Sequence, residues 1–460
     1  MRRPARTTND QIAYRAPFSV AAWGLIFFAG FVAVVVSGTF TVEPQAYLTL
    51  VAVIALVASL LIPFAAQRTV GITPRFMAAA LLMFVVGALI RYLIIETVYS
   101  GVSDSRGYFG AGLQLAEQFR SLDFSSLVPP FTDTAAIEYF SGFLYVLLPP
   151  SQLAGFVVSA AMSFIGSWHF YKAFVTSFPN GNRRLFAVLI FFLPSFWYWT
   201  TSLGKDAPVM MGLGITTYGF ALMFRRLSAK GVFYALLGLL PVVIIRAPIG
   251  AAIGLAGMGA YALRPTRARS AHVQALSYIV FLPLFFFAVV GLISAAREQV
   301  GSLEGLDFQT AFQTQQDANF SGGSNFTPPN PFSPLGLPSA LVTAAFRPFP
   351  FEAGGLFPIL QSMEGVLLLL LFLAKRREVW RAIASWRQNA MIVMAVAAFV
   401  IISIELASLA NFGLLARQRT QVLPFLVMIT CMVKLPRRQK VDSAEDGSAP
   451  YQAWASVTRS

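Results

Sequence analysis

The feature that most constrains this chain is a recurrence of apolar runs near the length needed to cross a hydrocarbon layer, each closed by arginine, lysine, proline or glycine. The runs fall at 18–37, 46–66, 76–99, 152–176, 184–200, 206–224, 231–246, 248–263, 273–294, 355–374, 388–409 and 417–434, about twelve by the length rule. Only helices satisfy their own backbone groups segment by segment in lipid, so the expected fold is all-α, a polytopic transmembrane helical bundle. The stretch 136–149 is short and aromatic and is expected to be re-entrant or interfacial. A composition 57% hydrophobic and only 12% charged excludes a soluble globular domain.

A formal net charge of +14 would suit nucleic acid if it were gathered on one face. It is instead spread over the connections between apolar runs, so no nucleic acid partner is expected. With the amino terminus inside, the inner connections carry Arg68 and Arg75, then Arg183 and Arg184, then Arg225, Arg226 and Lys230, then Arg264, Arg267 and Arg269. Lys375, Arg376, Arg377, Arg381 and Arg387 continue the series. This bias predicts a multi-pass protein of the cell (inner, cytoplasmic) membrane with both termini inside. Residues 1–17 are expected to form a cytoplasmic tail, 18–434 a single transmembrane domain, and 435–460 a disordered cytoplasmic tail. Two outer loops are long, 100–135 and 295–353, and long loops on one face suggest function there. The one cysteine, Cys431, lies in an apolar run; it excludes an intrachain disulfide and reads as a packing residue.

Four groups of outer residues can carry chemistry. In the first loop Asp104 precedes a helical pattern through Tyr108, Gly112 and Phe119 that suits the membrane interface. Asp104 is placed to accept a proton from a hydroxyl, or to cap a helix starting near Ser105; the roles are compatible. In the second group Lys205 and Asp206 begin the run 206–224, where free N–H groups favour an anion; the simpler reading is a capping aspartate and a snorkelling lysine. Arg246 separates two apolar runs and faces either a polar cavity or a hairpin-tip ion pair, as an arginine at that depth needs a partner or water. Arg91 and Glu96 are candidates for an ion pair in the third run. Near the last run, Arg417 and Arg419 are spaced to grip different oxygens of a diphosphate, and Arg347 in the second long loop can complete a basic ring. No Walker loop, dinucleotide fingerprint or zinc-type histidine cluster is present; no cofactor is implied and no metal site is indicated.

Taken together, Ser103-Asp104 with Tyr108, Pro194-Ser195 with Trp197 followed by Lys205-Asp206, Arg246, and Arg417-Gln-Arg419 with Pro424 resemble the extracytoplasmic lipid-linked-sugar enzymes. These are the GT-C-type integral membrane glycosyltransferases and the polymerases of O-antigen and exopolysaccharide pathways. The resemblance implies a polyprenyl-phosphate or diphosphate sugar donor, a glycan or envelope acceptor, transfer at the outer face, and an acidic base that maps onto Asp104. It also implies arginine and lysine holding the lipid phosphates. The chain departs from the pattern in lacking a second acid beside Asp104, where Ser105 stands, in placing three runs before the acid, and in lacking a carboxy-terminal soluble domain. The rival reading is a transporter or flippase of a lipid-linked glycan, which should carry charge along its whole path and often inverted repeats; a non-catalytic envelope scaffold is the third.

Overall fold

The computed structural model describes residues 72–129, 131–148, 150–263, 316 and 324–432. The expected runs 18–37, 46–66 and 273–294 and both expected tails lie outside the described residues. Within the described residues the chain is helical and has no strands, apart from one isolated bridge between Asn325 and Asn411. In chain order the helices are α1 (Pro74–Thr97), α2 (Asp104–Arg120), α3 (Asp133–Leu147), α4 (Gln152–Ser177), α5 (Arg183–Phe192), α6 (Pro194–Tyr198), α7 (Asp206–Arg225) and α8 (Ala229–Ile245). They continue as α9 (Ala247–Ala262), α10 (Gly336–Phe346), α11 (Leu356–Ala374), α12 (Arg376–Ala384), α13 (Ala390–Leu406), α14 (Phe412–Gln418) and α15 (Leu423–Cys431).

Local chemistry sets these boundaries. Thr73, Ser151, Asn182, Ser228, Asn389 and Asn411 each cap a helix by accepting a backbone N–H with the side-chain oxygen. Proline accounts for the largest departure from the expected spans. Pro194 cannot donate to the preceding turn, so the run 184–200 is two helices, α5 and α6, rather than one. The run 417–434 is likewise divided among the end of α14, a 3₁₀ turn at Arg419–Gln421, and α15. The stretch 136–149 is helix α3, one arm of a hairpin with α2 in which Gly112 meets Ser141 and the Phe109 and Tyr145 rings lie 5.2 Å apart.

Among the described residues, three helices are long and apolar enough to cross a membrane: α1, α4 and α7. The apolar helix from Pro358 to Ala374 and α12 make a fourth candidate if the 65° bend between them belongs to one broken span. Helices α8, α9 and α13, with 17, 16 and 17 residues, are shorter than that standard. Among the described residues the structure therefore supports three or four spans, fewer than the apolar runs there.

Helix α7 forms the centre, with α4 on one side and α8 on the other, and glycine lets the three backbones close together. A β-carbon on Gly214 would lie 2.1 Å from the Gly166 carbonyl oxygen of α4, and one on Gly212 would lie 2.5 Å from the Gly238 carbonyl oxygen of α8. Small residues at such crossings replace the hydrophobic drive that lipid does not supply. Gly214→Val is accordingly expected to destabilise the protein by about 1–3 kcal/mol or more. Gly259→Ala, at a helical glycine with nothing within 4 Å of its added carbon, is expected to be neutral or mildly stabilising. Thermal unfolding of the two variants in one detergent checks the contrast.

The twenty residues of α7 span about 30 Å at about 1.5 Å each, so its two termini define two ends of the bundle. At the end near Arg225, the Asn182 N–H donates to the Cys431 carbonyl at 2.9 Å and the Asn389 side-chain amide to the Ser177 carbonyl at 2.8 Å. At the other end lies the polar site.

Candidate functional site

The site is built where α7 begins. Asp206 is its first residue, and its carboxylate is 2% exposed. A carboxylate buried so deeply needs cationic partners, and two reach it from distant parts of the chain. Arg246, at the break between α8 and α9, donates from Nη2 to Oδ1 at 3.0 Å. Arg417, in α14, donates from Nε to Oδ2 and, with Nη1, to Asp104 Oδ2 at 2.7 Å. Arg417 thus bridges one buried aspartate and one that is 64% exposed. Beside them Lys205 Nζ meets Asp133 Oδ1 at 2.6 Å, tying the start of α3 to the start of α7. Gly204, with φ of +159°, makes the turn into Lys205, and its α-carbon faces the Tyr108 ring and the Arg417 guanidinium.

Both helix starts differ in detail from the sequence expectation. Helix α2 begins at Asp104 itself, with Ser103 at the capping position, and Asp104 is free to turn to Arg417 because it does not cap. Asp206 also makes no cap: Lys205 holds that position, and the Asp206 carboxylate is occupied by its two arginines. Of the two roles weighed for Arg246 the structure shows an ion pair, Nη2 with Asp206, while Nη1 is buried with no hydrogen-bond partner among the described residues. Its field also reaches Glu405 at the end of α13. Arg91 does not pair with Glu96. Its Nη1 donates to the Tyr198 hydroxyl at 3.1 Å, its guanidinium stacks on the Trp199 ring at 4.7 Å, and its Nε has no partner among the described residues. Glu96 lies instead by Gly101 and the Arg106 guanidinium. Asp206 feels Arg91 as well, so Arg91 belongs to the same electrostatic neighbourhood.

Tyr108 stands close to Asp104, on α2. Burial, and then the neighbouring Asp104 charge, hold its phenol above the ordinary tyrosine range. It keeps its proton at neutral pH and can donate to an anionic oxygen.

The other two arginines are not part of this cluster. Arg419 is 0% exposed, and its Nη2 donates to Glu364 Oε1 at 3.1 Å and to Ser195 Oγ at 3.3 Å. The same carboxylate takes the Ser195 hydroxyl at 2.5 Å and the Ser195 N–H at 2.8 Å. Arg417 and Arg419 therefore serve separate carboxylates rather than gripping one diphosphate together. Arg347 makes a forked pair with Glu352, with Nε at 2.9 Å and Nη2 at 2.5 Å from Oε1, and lies 4.6 Å from the Phe326 ring centre. Burial opposes ionisation of Glu352, but the bonds from Arg347 and from the Phe349 N–H outweigh it and hold the carboxyl below its ordinary range. Arg347 also accepts Arg419 Nη1 at its carbonyl, 3.1 Å away, and so braces the buried triad.

Sequence reasoning missed Glu364 and Asp133 as partners. Glu364 had a usable signal: a lone acid inside an apolar run must be paired or functional. Asp133 had none, as one of many loop acids. Next to the Ser195–Glu364 pair lies a largely apolar cavity of about 430 Å³, lined by Ile90, Ile94, Trp197, Tyr198, Trp199 and Glu364 among others. Tyr198 and Trp199 carry Arg91 on them, so the cavity wall adjoins the charged cluster.

The class defined by these features is an all-helical protein with helices long and apolar enough to cross a membrane and a shared carboxylate–arginine network at one end. Comparisons with protein-family models, with curated proteins and with solved structures find no match to the chain.

Proposed function

We propose that the protein transfers a sugar or oligosaccharide from a polyprenyl-phosphate or diphosphate donor to a glycan or envelope acceptor at the outer face of the cytoplasmic membrane. The observation that carries this reading is the Arg417 bridge between exposed Asp104 and buried Asp206. Glycosyl transfer needs a base for the acceptor hydroxyl and positive charge on the departing phosphate. Asp104 is the exposed carboxylate that Arg417 joins to the buried Asp206; Arg91, Lys205, Arg246 and Arg417 supply the charge.

The balance of that charge suggests how the site would work. Lys205 is paired with Asp133, Arg246 with Asp206, and Arg417 with both Asp206 and Asp104, so these three cations are already answered before any ligand arrives. An arriving phosphate competes for Arg417, and Asp104 is the partner it displaces most readily, being exposed while Asp206 is locked between two arginines. Displacement releases Asp104 to take the proton of the acceptor hydroxyl while Arg417 and the unpaired Arg246 Nη1 hold the phosphate. Tyr108 adds a neutral donor. The apolar cavity beside Arg91 offers room for part of the donor's hydrocarbon chain. A flippase would share these arginines, but the Arg417–Asp104 pairing at one end supports chemistry there rather than a charged path across.

A deletion strain tests the reading against its rival. Lipid-linked sugar accumulating in the outer leaflet, with loss of the mature glycan and recovery on re-expression, is the expected result. Accumulation confined to the inner leaflet makes the protein a flippase, and unchanged lipid-linked glycan ends the proposal.

A further inference from the structure

Away from the candidate site, one helix carries a surface that nothing in the function above uses. Helix α11 exposes Met363, Leu367 and Leu370 at helical spacing on one face, an apolar stripe suited to hydrocarbon. The chain then breaks at Lys375 and turns by 65° into α12. The composition inverts at that break. On α12, Val379 and Ala382 are buried, as is Glu378, which Lys375 neutralises at 2.9 Å. The opposite face exposes Arg377, Trp380 and Arg381, with Trp380 73% exposed. Arg376 caps α11 through the Leu373 carbonyl at 3.0 Å, and Arg387 lies 5.1 Å from the Trp386 ring centre just beyond. No carboxylate among the described residues of this helix remains exposed to balance these arginines.

The bond from Asn389 to the Ser177 carbonyl puts the end of this segment beside the turn that carries Arg183 and Arg184, at the end of the bundle away from Asp104. A tryptophan among arginines, on a helix lying across the end of an apolar one, matches the polar boundary of a bilayer: the indole sits at headgroup depth and the guanidiniums meet phosphate. We propose that the exposed face of α12 is a binding surface for anionic phospholipid headgroups, recruited by Arg377 and Arg381 and set to depth by Trp380. This does not rest on the glycosyl-transfer reading.

Full-length protein in nanodiscs of phosphatidylcholine and phosphatidylglycerol in equal parts, followed by mild extraction and measurement of the lipids retained, tests it. The wild type is expected to retain phosphatidylglycerol preferentially. R377Q/R381Q is expected to lose that preference by about twenty-five-fold, since each arginine held at headgroup depth beside an anionic leaflet contributes about a fivefold bias. R225Q/R226Q removes as much exposed charge from the same end of the bundle and is expected to change it by less than about threefold, because those arginines lack the neighbouring tryptophan and the lying helix. Equal losses in the two double variants, or no preference in the wild type, overturns the proposal. Should R377Q/R381Q not fold, the wild type decides the matter alone: its preference must fall steeply on raising salt, and a salt-insensitive preference overturns the proposal equally.

Discussion

Asp104→Asn is expected to lower the rate of sugar transfer by about 10²–10⁴-fold, the contribution of a positioned general base, while leaving the protein folded. The reason lies in its exposure. Asp104 is the open end of the Arg417 bridge, and an ion pair that far into solvent adds at most about 1 kcal/mol to stability. Arg417 keeps Asp206 when Asp104 is neutralised, so no buried charge is stranded. Asp133→Asn provides the comparison: it removes a comparably exposed carboxylate from Lys205 in the same neighbourhood, and a purely electrostatic role for Asp104 predicts equal losses from the two. Initial rates from a lipid-linked donor in reconstituted protein, beside thermal unfolding of the same samples, give the answer. Asp104→Asn retaining near wild-type rates removes the base, whatever becomes of the phosphate site.

Glu364→Ala is expected to have the largest effect on stability, about 3–5 kcal/mol, because it leaves the fully buried Arg419 guanidinium without its counter-charge. It also strips the Ser195 hydroxyl and N–H of their acceptor, and Ser195 opens the short helix α6 that Pro194 creates. Removing both charges is expected to be milder than removing one. Glu364→Leu with Arg419→Met should recover a substantial part of the loss, since the penalty of the single variant is mostly that of an uncompensated buried charge. Yield of monodisperse protein and resistance to heat in detergent, measured around the full double-variant cycle, check this. Losses that simply add would show that Glu364 and Arg419 are not coupled.

Much of this was legible in the residue order, and the limits of that legibility are physical. The boundaries of α1 and α4 follow from runs of apolar residues and from capping side chains, and those of α7 from its apolar run, all of which act over a few residues and leave a local mark. The break at Pro194 was equally local, yet it was hidden by a run whose overall hydropathy looked continuous. The gathering of Asp104, Lys205, Asp206, Arg246 and Arg417 at one end was foreseeable from counting crossings, since alternate connections return to the same side. Their pairing was not. Arg417 and Arg419 look equivalent two residues apart, but the 3₁₀ turn at Arg419–Gln421 sends one toward Asp206 and the other toward Glu364.

The residue order was enough for helices long and apolar enough to cross a membrane and for the set of charged residues that cannot be left without partners. Only the tertiary structure decided which cation answers which carboxylate. The partners Asp206 and Arg417 are 211 residues apart in the chain, and their meeting depends on the register of α7 against its neighbours. That register is set where Gly212 and Gly214 let backbones touch, an interaction of shape between distant segments that no local pattern of residues encodes.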